Sequence, residues 1–413
     1  MTALNITVIG AGIVGVSAAI WLRRAGHAVT LIERGEPGMG ASFGNGGILA
    51  RAAIVPVTEP GLLKKAPRYL LDPNFPLFLR PSYLPRLLPW LLSHISHATD
   101  AETRRITRAL ASLIGDSVEQ HHALSDGTPA ARYLVDSDYN FAYRDRAAFD
   151  ADGYSWMLRQ EFGFTPELIE GAAVREVEPI LSPTYSLLAI NRAHGYILNP
   201  GDYVATLTRV FREMGGHYMQ ASLQEFALTG GHLSAVLTDQ GQITCDRAVL
   251  ACGIWSKPLL RSLGLSVPLE AERGYHITIP APNITPRNPM MIADGKFVVT
   301  PMECGLRCAG IVEFGGLTPK LSRAPLSFLR RAIRASLPSL EISDPTEWLG
   351  YRPTTPDSLP LIGEVAGSGV FAAFGHQHIG LTGGPRTGRM IAEMISGRAS
   401  DIDIRPFAPA RFG

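Results

Sequence analysis

Cysteine is scarce in this chain: Cys245, Cys252, Cys304 and Cys308 are the only four in 413 residues. So few thiols in so long a chain exclude a disulfide framework. Cys304 and Cys308 have no second Cys/His pair spaced to complete a tetrahedral site, so no metal is expected. Charge is sparse as well. Only 18% of residues are charged and the formal net charge is +1, which gives no electrostatic reason to expect a nucleic-acid partner. One long run, Met1 to Leu22, carries no charged side chain and imitates a membrane span or signal sequence. No basic segment precedes it, and the glycines of a tight turn interrupt it. The chain is therefore expected to be cytoplasmic, with peripheral association at the inner face of a membrane as the alternative. Apolar residues, by contrast, are plentiful at 46%, as in a well-buried globular protein, and 413 residues exceed the size at which a single core usually splits, so two domains are expected.

The first turn of that run is the most informative feature. An apolar strand, Ile6 to Ile9, leads into Gly10, Gly12 and Gly15, with Ile13 and Val14 between the glycines. An amphipathic helix follows, Gly26 closes it, and a second apolar strand ends on Glu33. Each part has a function in dinucleotide binding. Gly10 permits the turn, Gly12 lets backbone approach a pyrophosphate, and Gly15 lets helix and strand pack closely. The helix N-terminus offers unpaired N–H groups to phosphate. An acid at Glu33 accepts hydrogen bonds from a ribose diol. An ordinary βαβ turn explains the glycines alone, but not the glycines with strand, helix and acid in this order.

A glycine-rich loop, RGEPGMGASFGNGGILA, follows Glu33, and its Ser42 and Asn45 suit phosphate or flavin contacts. Pro-rich, apolar and basic sequence then runs from Pro56 to Leu92, including KKAPRYLL and YLPRLLPWLL. Its prolines break any long amphipathic helix, so a lid or interface is favoured over a membrane-surface patch. Ala101 to Leu124 is helix-like. From Asn199 a helix, strands, a hairpin at Gly230 and Gly231, and the apolar strand of ITCDRAVLACGIWS resume the nucleotide-domain pattern. Strand-rich sequence from Leu269 to Phe314 and a helix in PLSFLRRAIRASLPSL precede the C-terminal third.

That last third, EWLGYRPTTPDSLPLIGEV and AAFGHQHIGLTGGPRTGRMIAEMISG, does not suit a nicotinamide dehydrogenase. Together with the N-terminal unit, ASFGNGG and ACGIWS, it resembles the D-amino-acid oxidase and glycine oxidase superfamily of FAD enzymes. The bacterial D-amino-acid dehydrogenases, D-hydroxyproline dehydrogenase-like members among them, are the most similar. The resemblance spans nearly the whole chain. It implies an α/β protein, α+β overall, with a Rossmann-like FAD-binding domain and an inserted antiparallel-sheet substrate domain. The FAD-binding domain is expected at 1–90, 196–268 and 348–413, and the substrate domain at 91–195 and 269–347.

The resemblance also implies roles for particular residues. Gly10, Gly12, Gly15 and Glu33 look like the ADP-binding set, with Arg34 beside the adenosine. Ser42, Asn45, Gly46 and Gly47 look like the loop near pyrophosphate and flavin. Leu223 falls where the family sets backbone against adenine, and Ala251 and Gly253 at a second backbone approach. Gly375, Gly380, Leu381 and Thr382 correspond to the turn at the flavin's pyrimidine edge, opening a helix expected from Pro385 to Ile395. Arg352, in GYRP, matches the arginine that holds a substrate carboxylate, a role suited to a planar fork of donors. Tyr275, in RGYHITI, falls on a strand bordering the substrate and would supply a second contact. For His276, His376 and His378 a structural role weighs as much as a functional one.

The expected activity is FAD-dependent oxidation of a D-amino acid, with hydride passing to flavin N5 and the imine hydrolysing to a 2-oxo acid. A quinone or carrier protein would take the electrons. The rivals are a D-proline or cis-4-hydroxy-D-proline dehydrogenase, a glycine or sarcosine-type oxidase, and a subunit that binds FAD structurally. Retention of Arg352 argues against the last, because holding a cofactor does not require it.

Overall fold

The computed structural model describes residues 2–61 and 76–412. The segment KKAPRYLL, part of the expected lid, lies outside the described residues. The N-terminal unit forms as its pattern requires: strand Asn5–Ile9, helix Ile13–Arg24 and strand Ala28–Glu33. The uncharged run from Met1 to Leu22 is thus strand, turn and helix, and no helix among the described residues is long and apolar enough to cross a membrane.

Asn5–Ile9 lies inside a six-stranded sheet ordered Leu361–Glu364, Val370–Phe374, Arg247–Leu250, Asn5–Ile9, Ala28–Glu33, His217–Gln220. All neighbours are parallel except the first pair, which is antiparallel. Alternation assigns its two faces. Ile6, Val8 and Leu31 pack toward the helices Ile13–Arg24, Pro200–Glu213 and Gly380–Ile395. Ile9, Ile32 and Leu250 pack toward a three-stranded sheet, Leu223–Thr229, His232–Thr238 and Gly241–Thr244. The second sheet, with ten strands among the described residues, is mostly antiparallel. Its edge begins Thr346–Thr354, Glu270–Ile279, Gly305–Phe314, Phe297–Met302. Helix Arg323–Ser336 covers one face, burying Leu326, Leu329 and Ile333 against Ile277, Ile279 and Val299. A parallel Rossmann-like sheet joined to a large antiparallel one is the fold the sequence implied.

Several segments pack differently from their expected neighbours. The stretch from Ala101 to Leu124 is two helices, Asp100–Ile114 and Ser117–Ser125, broken at Gly115 and Asp116. Although expected within the substrate part, they give Ile106, Leu110, Leu113 and Leu124 to the core that holds Ile6 and Val8. Conversely, Ile48–Leu49, Leu77–Leu79 and Thr346–Thr354, each wholly or largely within the expected FAD-binding segments, are strands of the large sheet.

The C-terminal helix starts at Gly380, five residues before Pro385. A proline at that position removes the N–H that would bond the carbonyl of Leu381. Buried His121 fills the gap: its Nε2 donates to Leu381 O at 2.9 Å while Nδ1 accepts from the Tyr203 hydroxyl at 2.9 Å. Burial pushes His121 down to about 4, so it is neutral and can play both parts.

Candidate active site

A cavity of about 1340 Å³ runs between the two sheets. One end is made of backbone. Gly10, Gly12, Ile13 and Val14 line it where the first strand becomes helix. Gly10 has φ +103°, and a Cβ there would lie 2.7 Å from Ala251 O. Gly15 is not on the wall but beneath it; a Cβ at Gly15 would lie 1.8 Å from Gly10 O, so its role is the close packing of helix on turn. Glu33 and Arg34 line the wall at the end of the second strand. Glu33 Oε2 accepts from Ala11 N–H at 2.7 Å, and the Arg34 guanidinium lies 4.3 Å over the Trp255 ring. Leu223, Ala251 and Gly253 complete this end.

The glycine-rich loop crosses the middle of the cavity. Ser42, Asn45 and Gly46 line it, while Gly47 lies behind, bonded to the Asn45 side chain at 2.9 Å. Helix Ile13–Arg24 has glycine at its N-cap with no side-chain cap. Ser42 supplies one from a distance, its Oγ accepting from Ile13 N–H at 3.0 Å, and a hydroxyl that accepts can donate as well. The large sheet holds this loop in place. Buried Arg307 donates to Phe43 O at 2.7 Å and Asn45 O at 2.9 Å, and Thr300 Oγ1 donates to Gly46 O at 2.7 Å. Sequence reasoning missed both residues, which sit far along the chain from the loop they clamp.

Gly375, Gly380, Leu381 and Thr382 face the loop from the opposite wall, at the start of the C-terminal helix. His376 and His378 belong to the same turn. His376 also lines the cavity but is buried, paired with Thr387 Oγ1 at 2.9 Å and pushed down to about 3 by burial. His378 opens onto the cavity; burial, with Arg352 adding to it, pushes it down to about 4.

The other end of the cavity is built from strand register. Glu270–Ile279 pairs antiparallel with Thr346–Thr354, setting Glu272 opposite Arg352 and Gly274 opposite Gly350. The Arg352 guanidinium lies across Gly274, where a Cβ would sit 2.7 Å from Cζ. On the far side of Glu270–Ile279 a register shift bulges the Gly305–Phe314 strand at Ile311, whose φ is +57°. A β-branched residue in that region is strained, and such bulges cluster beside active sites. Here the bulge turns two consecutive carbonyls toward the arginine, which donates to Gly310 O and Ile311 O at 3.3 Å each. Burial lowers the arginine's pKa and Glu272 raises it, yet a guanidinium keeps its charge in proteins. Arg352 therefore stands as a fixed cation with donors to spare.

Tyr275 departs from its expected role. It borders the cavity, but alternation turns its ring to the opposite face, into the core with Ile277 and Leu329. There its hydroxyl donates to Glu313 at 2.5 Å and accepts from Arg273 at 3.1 Å, in a buried network that also holds Ser322. His276 is on the other face, stacked on Trp348 at 5.1 Å with Nδ1 3.2 Å from Gly44 O. Above them, helix Leu84–Ser96 brings Trp90 and His94 to the wall; Trp90 donates to Thr354 O at 3.2 Å and His94 Nδ1 to Pro356 O at 2.8 Å.

Residues 5–394 match the model of the DAO family, FAD dependent oxidoreductase. The chain belongs to that family. It is an FAD-dependent oxidoreductase, and the backbone-lined end of the cavity fits the cofactor: a Cβ would fill the cradle at Gly10, a helix N-terminus opens onto it, and an acid closes the second strand. The chain is 40% identical over 418 residues to a D-amino-acid oxidase of Bradyrhizobium diazoefficiens, with 99% of each covered. It is 29% identical over 434 residues to a D-amino acid dehydrogenase of Rhizobium rhizogenes, covering 99% of this chain and 100% of the relative. Among solved structures, L-proline dehydrogenase from P. horikoshii superposes with a TM-score of 0.75 at 20% identity, covering 99% of this chain and 98% of that one, a likeness of fold.

Proposed function

We propose that this protein oxidises a D-amino or D-imino acid, holding the substrate carboxylate on Arg352 with the reacting carbon turned toward the flavin. The observation that carries the reading is the arginine itself: a half-buried cation, braced by two bulge carbonyls, on the wall of the cavity whose other end suits FAD. An arginine fork gives a carboxylate two parallel hydrogen bonds, and pinning it fixes which face of the substrate carbon is presented. Only one enantiomer then presents its Cα–H to the oxidant with its side chain in the pocket. The names of the relatives, both D-amino-acid enzymes, support the D-series. FAD supplies the two-electron acceptor; the chain supplies binding, orientation and exclusion of water.

For the final acceptor we favour a quinone or dye-like carrier over oxygen, as the dehydrogenase resemblance implies. A specific observation favours the opposite reading: the relative at 40% identity is named an oxidase. We place the FAD-binding part at 1–90, 196–268 and 348–413, with the helices Asp100–Ile114 and Ser117–Ser125 added for the core they share and the strands Ile48–Leu49, Leu77–Leu79 and Thr346–Thr354 given to the substrate part for the sheet they join. The deciding experiment is a dye-reduction assay over D- and L-amino acids, including both prolines and hydroxyprolines, run beside an oxygen electrode. Turnover of D-enantiomers faster with dye than with oxygen is the expected result. D-Proline or a D-hydroxyproline well ahead of D-alanine selects the imino-acid branch, stoichiometric peroxide at dye-like rates selects an oxidase, and activity on L-enantiomers alone overturns the reading.

A further inference from the structure

Oxidation of an amine needs a nitrogen lone pair, whereas an amino acid arrives in water as its ammonium form. The cavity holds a group suited to that difference. Glu272 stands directly opposite Arg352 on the neighbouring strand, and alternation along Glu270–Ile279 places Glu272 and Gly274 on the face across which the guanidinium lies. Both residues line the cavity. Glu270 and His378 also stand near this pair. Glu270, on the same strand, is held by the Tyr83 hydroxyl at 2.8 Å and Ala271 N–H at 2.9 Å. His378, on the opposite wall, is neutral above about pH 4. Arg352 and Glu272 thus form a side-by-side cation and carboxylate, the complement of an amino-acid zwitterion.

We propose that Glu272 binds the substrate ammonium group and takes its proton. The inference rests on the amino-acid reading above. One N–H bond of the ammonium breaks, one O–H bond forms on the Glu272 carboxylate, and nitrogen keeps the electron pair. That pair becomes the C=N bond as the Cα–H bond breaks and its hydrogen leaves with both bonding electrons, as hydride, to the oxidant; Glu272 then returns its proton to water. The environment favours proton uptake, because burial, with the charge of Glu270 adding to it, raises the Glu272 pKa above the usual carboxylate range, while Arg352 and the Thr354 hydroxyl oppose the rise.

The test uses the FAD-loaded protein, wild type and Glu272→Gln, with the best substrate of the panel and with benzoate as an unreactive carboxylate. The variant should lose about 100-fold or more in kcat/KM near neutral pH, and its acid limb should move up by at least about one pH unit toward the free amine's own titration. In the wild type, benzoate should bind more weakly as rising pH ionises Glu272 beside it; in the variant its affinity should be flat. The wild-type titration stands even if the variant does not fold. A role limited to balancing the charge of Arg352 leaves the acid limb where it was, and that outcome, or pH-independent benzoate binding to the wild type, overturns the proposal. A wild type that oxidises no amino acid removes the functional reading and this inference with it. An active wild type with an unmoved limb removes only the role of Glu272.

Discussion

The two ends of the cavity are made of different materials. At the nucleotide end the wall is main chain, shaped by glycines that allow close approach and by a helix that begins there. At the end proposed for the substrate it is side chain, and Glu272 and Arg352 stand side by side only because two strands align in one register. A backbone site tolerates little change of shape, whereas a register-built site depends on the chemical groups the register brings together, and on small residues such as Gly274 only where a side chain crosses them. Substitutions should separate the two.

The largest effect is expected from Gly10→Val. Its branched Cβ would stand 2.7 Å from Ala251 O at a positive φ, so the protein should purify colourless or fail to fold; a yellow, stable variant would show that this wall yields more than we hold. Glu33→Ala changes a group and not a shape. It should weaken FAD binding by about 1.5–3 kcal/mol, read as flavin lost on dilution, and an unchanged affinity would remove Glu33 from the cofactor contacts.

Acid should loosen both ends together. Burial pushes His94 and His121 down to about 4 and His376 to about 3. The unfolded chain takes up these protons near the ordinary histidine value of about 6.5. Between there and about pH 4 the unfolded state binds more protons, so stability falls as pH falls and is flat just above that window. His121 holds the carbonyl that Pro385 leaves open and His94 holds Pro356 near the Arg352 strand, so a Tm that does not change across this range would contradict both assignments. The smallest effect belongs to Tyr275→Phe. With its hydroxyl committed to Glu313 and Arg273, the loss should cost about 1 kcal/mol of stability and leave KM within about twofold. A KM raised tenfold would return Tyr275 to the substrate.

The same contrast explains what could be read in the sequence. The nucleotide end was legible because its strand, glycines, helix and acid follow one another within a few turns of chain, each leaving a local pattern. Arg352 was legible only through resemblance. Glu272 was not, because its meaning depends on the strand beside it, although alternation in EAERGYHITI already sets Glu272, Gly274 and His276 on one face and Tyr275 on the other. Arg307, Thr300 and His121 were hidden more deeply. Each acts on backbone far away in sequence, as His121 does on a carbonyl 260 residues distant, and no local pattern records such a partner. The early start of the C-terminal helix was hidden for the same reason, since the proline's cost is met from elsewhere.

The central claim is that FAD is held at one end and the substrate at the other, so that losing Arg352 should spare the first and remove the second. The most direct measurement is anaerobic reduction of the bound flavin by D-alanine and D-proline, followed by absorbance, in wild type and Arg352→Met. Flavin content per chain should be the same in both. The reduction rate, at equal substrate, should be lower by roughly 100-fold or more in the variant, in line with the 2–5 kcal/mol lost when a buried charge partner is removed. A variant that retains its flavin and is reduced at the wild-type rate would contradict the claim.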